Sequence, residues 1–183
     1  MHKSQNGRPV GRVVGLWRYP VKSMGAEALS FVDVSWHGFA GDRRWAFIRS
    51  DVPQSGFPWL TLRERADMSP VSLITTQSIA RLGEMVGCSL DVQRFRPNIL
   101  VQTGDATPFV EDSWVGAILR IGGLTMRVDK RDGRCAVITI DPTTTERNPA
   151  ILRAVAQNRQ GCLGIYGSTV EPGRVALDDK GIH

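Results

Sequence analysis

The sequence predicts a mainly β or α+β domain built around a barrel. Three observations point there. The apolar segments are short, and many alternate or are β-branched. Glycine and proline punctuate the chain closely, with 19 and 10 copies among 183 residues. Only about two stretches carry the apolar period of a helix. A doubly wound parallel sheet would need helical crossovers after most strands, which this pattern does not offer.

The elements follow in order. Gly11 to Tyr19 reads as a strand that Pro20 ends. Leu29 to Val34 alternates apolar and polar and stops at the Gly38–Gly41 turn region. Trp45 to Ile48 and Trp59 to Leu62 are further short strands, separated by the loop Asp51 to Pro58, which holds two prolines and a glycine. A helix is expected from Thr76 as cap to Met85, with Ile79, Leu82 and Val86 on one face and Gly87 as its stop. Phe95 to Val101 returns to strand. Leu119–Ile121 and Leu124–Val128 flank Gly122–Gly123, a hairpin signal. Ala136 to Ile140 is β-branched and reads as a strand ending at Asp141–Pro142. Asn148 caps, and Pro149 opens, a second helix with Ile151, Leu152 and Val155 inward. Leu163 to Val170 and Val175 to Leu177 close the chain around Pro172–Gly173. The densest charge lies between Leu62 and Asp67, so the natural division is 1–66 and 67–183.

Composition narrows the function. The chain is 42% apolar and 22% charged, values of an ordinary globular domain. Its net charge of +5 comes from scattered arginines with no basic run, which suits a small phosphorylated ligand better than a nucleic acid. Three cysteines without close spacing exclude a disulfide scaffold or zinc knuckle, and three histidines form no metal-ligand pattern. No membrane span and no leader peptide are read, so a reducing cytoplasm is the expected compartment.

The segment Arg131 to Pro142 carries the chemistry. Lys130, Arg131 and Arg134 set positive charge around Cys135, and cations favour the thiolate, the form that binds metals or attacks electrophiles. The alternative for Cys135 is a small cysteine that merely packs; Cys88 and Cys162 are read that way. Other short motifs add cations and hydroxyls on turns. Tyr19-Pro20-Val21-Lys22-Ser23 and Gly41-Asp42-Arg43-Arg44-Trp45 offer anion donors. Thr61-Leu62-Arg63 and Asp67-Met68-Ser69-Pro70 straddle the division, and Phe95-Arg96-Pro97-Asn98-Ile99 offers fixed donors for a planar polar ligand. Val110 to Gly116 reads as structural, a packed Trp114 with acids capping amides.

Taken in this order, the motifs resemble the MOSC family, the molybdenum cofactor sulfurase C-terminal domain, over about Arg12 to Asp178. The run from Phe95-Arg96-Pro97-Asn98, through Glu111-Asp112-Ser113-Trp114, to Arg134-Cys135 and Asp141-Pro142 looks like the amidoxime-reducing branch. The resemblance implies a MOSC-type β-barrel preceded by an N-terminal β-barrel segment. It implies the molybdenum cofactor, molybdopterin, with Cys135 as metal ligand. Lys22, Ser23, Arg43, Thr61, Arg63, Ser69, Arg96, Asn98, Arg134 and Tyr166 fall on the cofactor-binding positions. The chain departs from larger relatives in joining Arg63 to Asp67 directly. The implied reaction is an oxidoreduction that removes oxygen from N-hydroxylated or N-oxide small molecules. A separate iron–sulfur, flavin or haem protein would supply the electrons. The alternatives are a sulfur carrier that holds a persulfide on Cys135 and a non-catalytic cofactor carrier. No lysine stands out as a Schiff base, so pyridoxal phosphate is not expected.

Overall fold

A computed structural model describes residues 7–45 and 70–183. Among the described residues eleven strands and two α-helices run in the order β1 (Pro9–Arg18), β2 (Glu27–Ala28), β3 (Phe31–Ser35), β4 (Gly38–Phe39), β5 (Val71–Thr75), α1 (Thr76–Val86), β6 (Ile99–Thr103), β7 (Ile118–Ile121), β8 (Leu124–Gly133), α2 (Pro149–Arg159), β9 (Cys162–Glu171), β10 (Gly173–Ala176) and β11 (Lys180–Ile182). Seven of them close a barrel in the order β11, β7, β8, β9, β5, β6, β1, with β1 pairing back to β11. β2 hangs on β1, and β10, β3 and β4 make a separate three-stranded sheet. The mainly β reading with two helices therefore holds.

All barrel pairs are antiparallel except β5 with β6, which α1 joins as a crossover. β5 was not anticipated, and its composition explains why. All five residues are buried, so no alternation marks it. Leu73 faces the barrel core with Leu16, Ile99, Met126 and Ile165. Ile74 joins a second core with Leu82, Phe95, Ile138, Ile151, Val155 and Leu163, where the helices cover the barrel wall. α1 is capped by Thr75, one residue before the expected Thr76, because the Thr75 hydroxyl reaches Ser78 N; Gly87 ends it in a left-handed conformation as read. Asn148 Oδ1 accepts from Ala150 N at 3.1 Å and caps α2 as expected. The Gly122–Gly123 turn joins β7 to β8.

Other expectations need correction. Ala136 to Ile140 is not a strand but a 3-10 turn over Ala136–Thr139, with Ile138 N bonded to Cys135 O. Of its β-branched side chains Ile138 packs into the second core while Val137 is exposed, and Arg94 ties the Thr139 backbone oxygen at 3.3 Å. β6 begins at Ile99, since Val92–Phe95 forms another 3-10 turn. The division near residue 66, the strand at 59–62 and the site residues Thr61, Arg63 and Ser69 lie outside the described residues, as does all but Trp45 of the strand at 45–48. Within them, β1 closes the barrel, while β3 and β4 form the small sheet with β10 near the other end of the chain.

β10 lies very close to the β7–β8 turn. A methyl at Gly173 would sit 1.9 Å from Gly123 O. Gly173→Ala is therefore expected to cost about 2–4 kcal/mol by forcing two backbones apart. Urea unfolding checks this, and a loss under about 1 kcal/mol would mean the turn yields freely.

Candidate functional site

One end of the barrel gathers the motifs that lie far apart in the chain. Backbone bonds zip the first two together. Arg43 N donates to Tyr19 O at 2.7 Å, Trp45 N to Pro20 O at 3.1 Å, and Lys22 N to Trp45 O at 2.8 Å. Asp42 Oδ1 accepts from Tyr19 N at 2.6 Å, and Asp42 Oδ2 holds the Arg43 guanidinium. Arg43 then reaches the third motif, donating to Arg96 O at 3.1 Å and Asn98 Oδ1 at 3.3 Å. Arg96 returns the contact by donating to Met24 O, just after Lys22 and Ser23.

Tyr19 lies beneath this junction. The Arg96 guanidinium sits 4.2 Å from its ring centre and that of Arg43 5.1 Å. Burial pushes the phenol well above its ordinary range, although both arginines pull the other way. Its hydroxyl is buried with no hydrogen-bond partner among the described residues. Burial also lowers the Arg96 guanidinium, and Arg43 adds to that by repulsion. Two cations held together, with Asp42 bound to one of them, leave a positive field suited to an anion.

Ser23, Arg43 and Arg96 all take left-handed backbone, with φ of 63°, 48° and 48°. Such conformations are uncommon without glycine and cluster at functional sites, where surrounding contacts over-determine them. Here the Arg43 and Arg96 contacts supply that constraint.

Asn98 is fully buried and points into the wall. Its amide nitrogen donates to Trp17 O at 3.2 Å, while its oxygen accepts from Ser72 N at 3.1 Å and Ser72 Oγ at 3.0 Å. It braces β1, β5 and Arg43 and does not face outward. Lys22 is half-buried and Ser23 exposed, both on the turn beside Arg96.

Cys135 is exposed and unpaired in any disulfide. Two of the cations the sequence places around it, Arg131 and Arg134, have other partners. Arg131 donates to Gln160 and Arg159 O and lies 3.1 Å from Asp112. The Arg134 side chain is only 7% exposed. Its guanidinium donates to Phe95 O and Leu163 O, both at 2.7 Å, and its backbone N–H donates to Gly161 O at 2.8 Å. Arg134 thus turns inward while Cys135 turns out. The motif from Arg94 to Asn98 is the hub, since Arg94 also pairs with Asp141. That carboxylate is held below its usual range first by the amides of Thr144 and Thr143.

The structural reading of Val110 to Gly116 is correct, with Trp114 buried, though besides Glu111's own amide the acids hold side-chain partners. Glu111 is fully buried and accepts from Thr75 at 2.9 Å and Ser78 at 2.8 Å; burial raises its carboxyl. Asp112 pairs with Arg159 and Arg131. Among the described residues no group of three or more metal-binding side chains occurs.

Reading motifs one at a time misses Asp132. It is buried, 2.8 Å from Arg134, and hydrogen-bonded to Tyr166. Desolvation pushes it up to about 6 against the pull of Arg134 and Arg43. The one available signal is an acid set among Lys130, Arg131 and Arg134.

Comparison with known proteins shows the family of the chain. The family model for the MOSC domain matches residues 62–180, and that for the MOSC N-terminal beta barrel domain matches residues 10–83. The molybdenum cofactor sulfurase of Drosophila mojavensis is 43% identical over 82 residues, covering 43% of this chain and 10% of that protein. Mitochondrial amidoxime-reducing component 1 of Danio rerio is 37% identical over 78 residues, covering 43% of this chain and 23% of that protein. The matched part is thus a minor share of each of these relatives. Among solved structures, the YUAD protein from Bacillus subtilis superposes with TM-score 0.69 at 15% identity over 96% of both chains. YiiM from Escherichia coli superposes with TM-score 0.55 at 13% identity, covering 93% of this chain and 68% of that one. At such identity these two speak for the fold alone.

Proposed function

The chain belongs to the MOSC domain family, and from that premise we propose that it binds the molybdenum cofactor at the barrel end built from the Lys22, Arg43, Arg96 and Cys135 segments. Its relatives among the curated proteins carry names tied to that cofactor or to amidoxime reduction. The observation that carries the reading is the placement of Cys135. An exposed thiol follows a buried, fully engaged arginine, and the same turn that anchors this arginine leads to Arg96 and Asn98.

The donor set fits the group. A soft thiolate suits a metal that already holds sulfur ligands. The paired guanidiniums of Arg43 and Arg96, with Lys22 and the hydroxyl of Ser23 on the adjoining turn, suit a phosphate and a polar ring edge. Asn98 and Arg134 contribute by bracing, since both side chains are spent on the protein itself. When bound, the cofactor supplies oxygen-atom acceptance and two-electron chemistry. The chain's own residues orient it and set its electrostatic surroundings. The substrates we propose are N-hydroxylated or N-oxide small molecules, with a separate electron-donor protein and no nucleic-acid partner. Among the described residues no helix is long and apolar enough to cross a membrane.

The test is the molybdenum and pterin content of protein from molybdate-grown cells, beside Cys135→Ala. Near-stoichiometric metal that falls at least about tenfold in the variant, with an unchanged melting curve, is the expected result. Pterin retained in both would indicate a carrier. Neither metal nor pterin, with cyanide-releasable sulfur on Cys135, would replace this reading with sulfur transfer, a role that an exposed thiol also fits.

A further inference from the structure

Three of the residues matched to cofactor-binding positions converge on a residue that is not one of them. Arg134, Tyr166 and Arg43 come from just past the end of β8, from β9 and from the loop after β4. Each acts on Asp132, whose side chain is 3% exposed. Lys130 also acts on this carboxyl. Asp132 Oδ2 lies 2.8 Å from the Arg134 guanidinium yet takes no aligned hydrogen bond. Charge, more than a directional bond, links the two. Arg134 in turn pins the backbone on either side of the site, through Phe95 O and Leu163 O, and Cys135 is the next residue.

We propose that Asp132 is a positioning residue for Cys135: it compensates the buried Arg134 charge, ties it to Tyr166 and Arg43, and so sets how the thiol is presented and how strongly it reacts. The inference rests on Cys135 as the working group of the proposed site. Its test reads the thiol directly, so failure of the metal reading and failure of this one are separate results.

A merely structural buried ion pair would change stability alone. A positioning role also changes the chemistry of Cys135. Because burial holds the Asp132 carboxyl up to about 6, it is neutral below that pH and charged above it. Replacing it with Asn leaves Arg134 uncompensated at every pH and loosens its hold on Phe95 O and Leu163 O, so that Cys135, the next residue, is presented more openly to an alkylating reagent.

The experiment uses the full chain without cofactor in a Cys88→Ser, Cys162→Ser background, so that Cys135 alone reports. Its alkylation by iodoacetamide is followed from pH 5 to 8.5 for the parent, Asp132→Asn and Asp132→Glu, alongside thermal melts. In Asp132→Asn the rate at pH 7.5 is expected to rise about fivefold, the size of effect that losing one member of a coupled network produces. The two profiles should converge below about pH 6, where the parent carboxyl is also neutral, and Glu should restore the parent profile. Superimposable profiles with only a lowered melting temperature would overturn the proposal. Should Asp132→Asn fail to fold, Tyr166→Phe removes the hydroxyl that favours the ionised carboxyl and leaves the charge in place. The inflection near pH 6 should then move upward, and an unmoved inflection would equally overturn the proposal.

Discussion

Asn98→Ala should lower stability by about 3–5 kcal/mol, seen as a reduced urea midpoint at unchanged slope. The side chain is fully buried and its bonds bridge β1, β5 and the Arg43 guanidinium. Its loss strands Trp17 O on β1 and Ser72 N on β5, takes one of the partners of Ser72 Oγ, and removes one anchor of the Arg43 guanidinium. Each stranded buried group costs about 1–3 kcal/mol. A domain of this size has only about 5–15 kcal/mol to lose. Direct contact with a ligand would predict the reverse pattern, a large loss of cofactor with little change in unfolding. A stability loss under about 1 kcal/mol would therefore return Asn98 to the role the family resemblance implies for it.

How much was legible in the sequence depended on whether a signal was local. The Gly122–Gly123 hairpin and the Asn148–Pro149 helix start were readable because a few adjacent residues determine them. β5 was not, because both faces are covered and a five-residue run with every side chain buried, Ser72 and Thr75 included, carries no apolar–polar period. Ala136 to Thr139 misled because β-branching favours strands in general. Here the anchoring of Arg134 on one side and of Asp141 by Arg94 on the other closes the segment into a 3-10 turn. The site divides in the same way. Cys135, Arg43 and Arg96 stand in motifs visible along the chain. That Arg134 faces inward, and that Asp132 collects Tyr166 and Arg43, depends on the β8–β9 register and on the packing of the loop after β4. Nothing in a linear reading states which of five consecutive residues from Lys130 to Arg134 points into the protein.

Arg134→Met exposes that arrangement most severely. The substitution keeps an unbranched stem and removes every donor. Phe95 O and Leu163 O lose their guanidinium partner, and Asp132 remains a buried carboxylate without its nearest counter-charge. Removing one partner of a buried pair typically costs about 3–5 kcal/mol, because the charge left behind is uncompensated. The sign of the pH dependence follows from Asp132. Its native carboxyl titrates at about 6, above an ordinary 3.8, so the native state holds its proton more tightly and stability falls as pH rises between those values. The ion pair thus softens a burial cost without cancelling it. Without Arg134 the carboxyl moves further upward, the falling window extends to higher pH, and the variant should be most impaired above neutrality and least near pH 5. Adding Asp132→Asn to Arg134→Met should recover about 2 kcal/mol at pH 8, since no buried charge then remains to be left alone. Urea unfolding of both single variants and the double variant, at pH 5 and pH 8, measures this coupling. Equal losses at the two pH values, or a double variant no more stable than Arg134→Met, would show that Asp132 and Arg134 do not depend on one another.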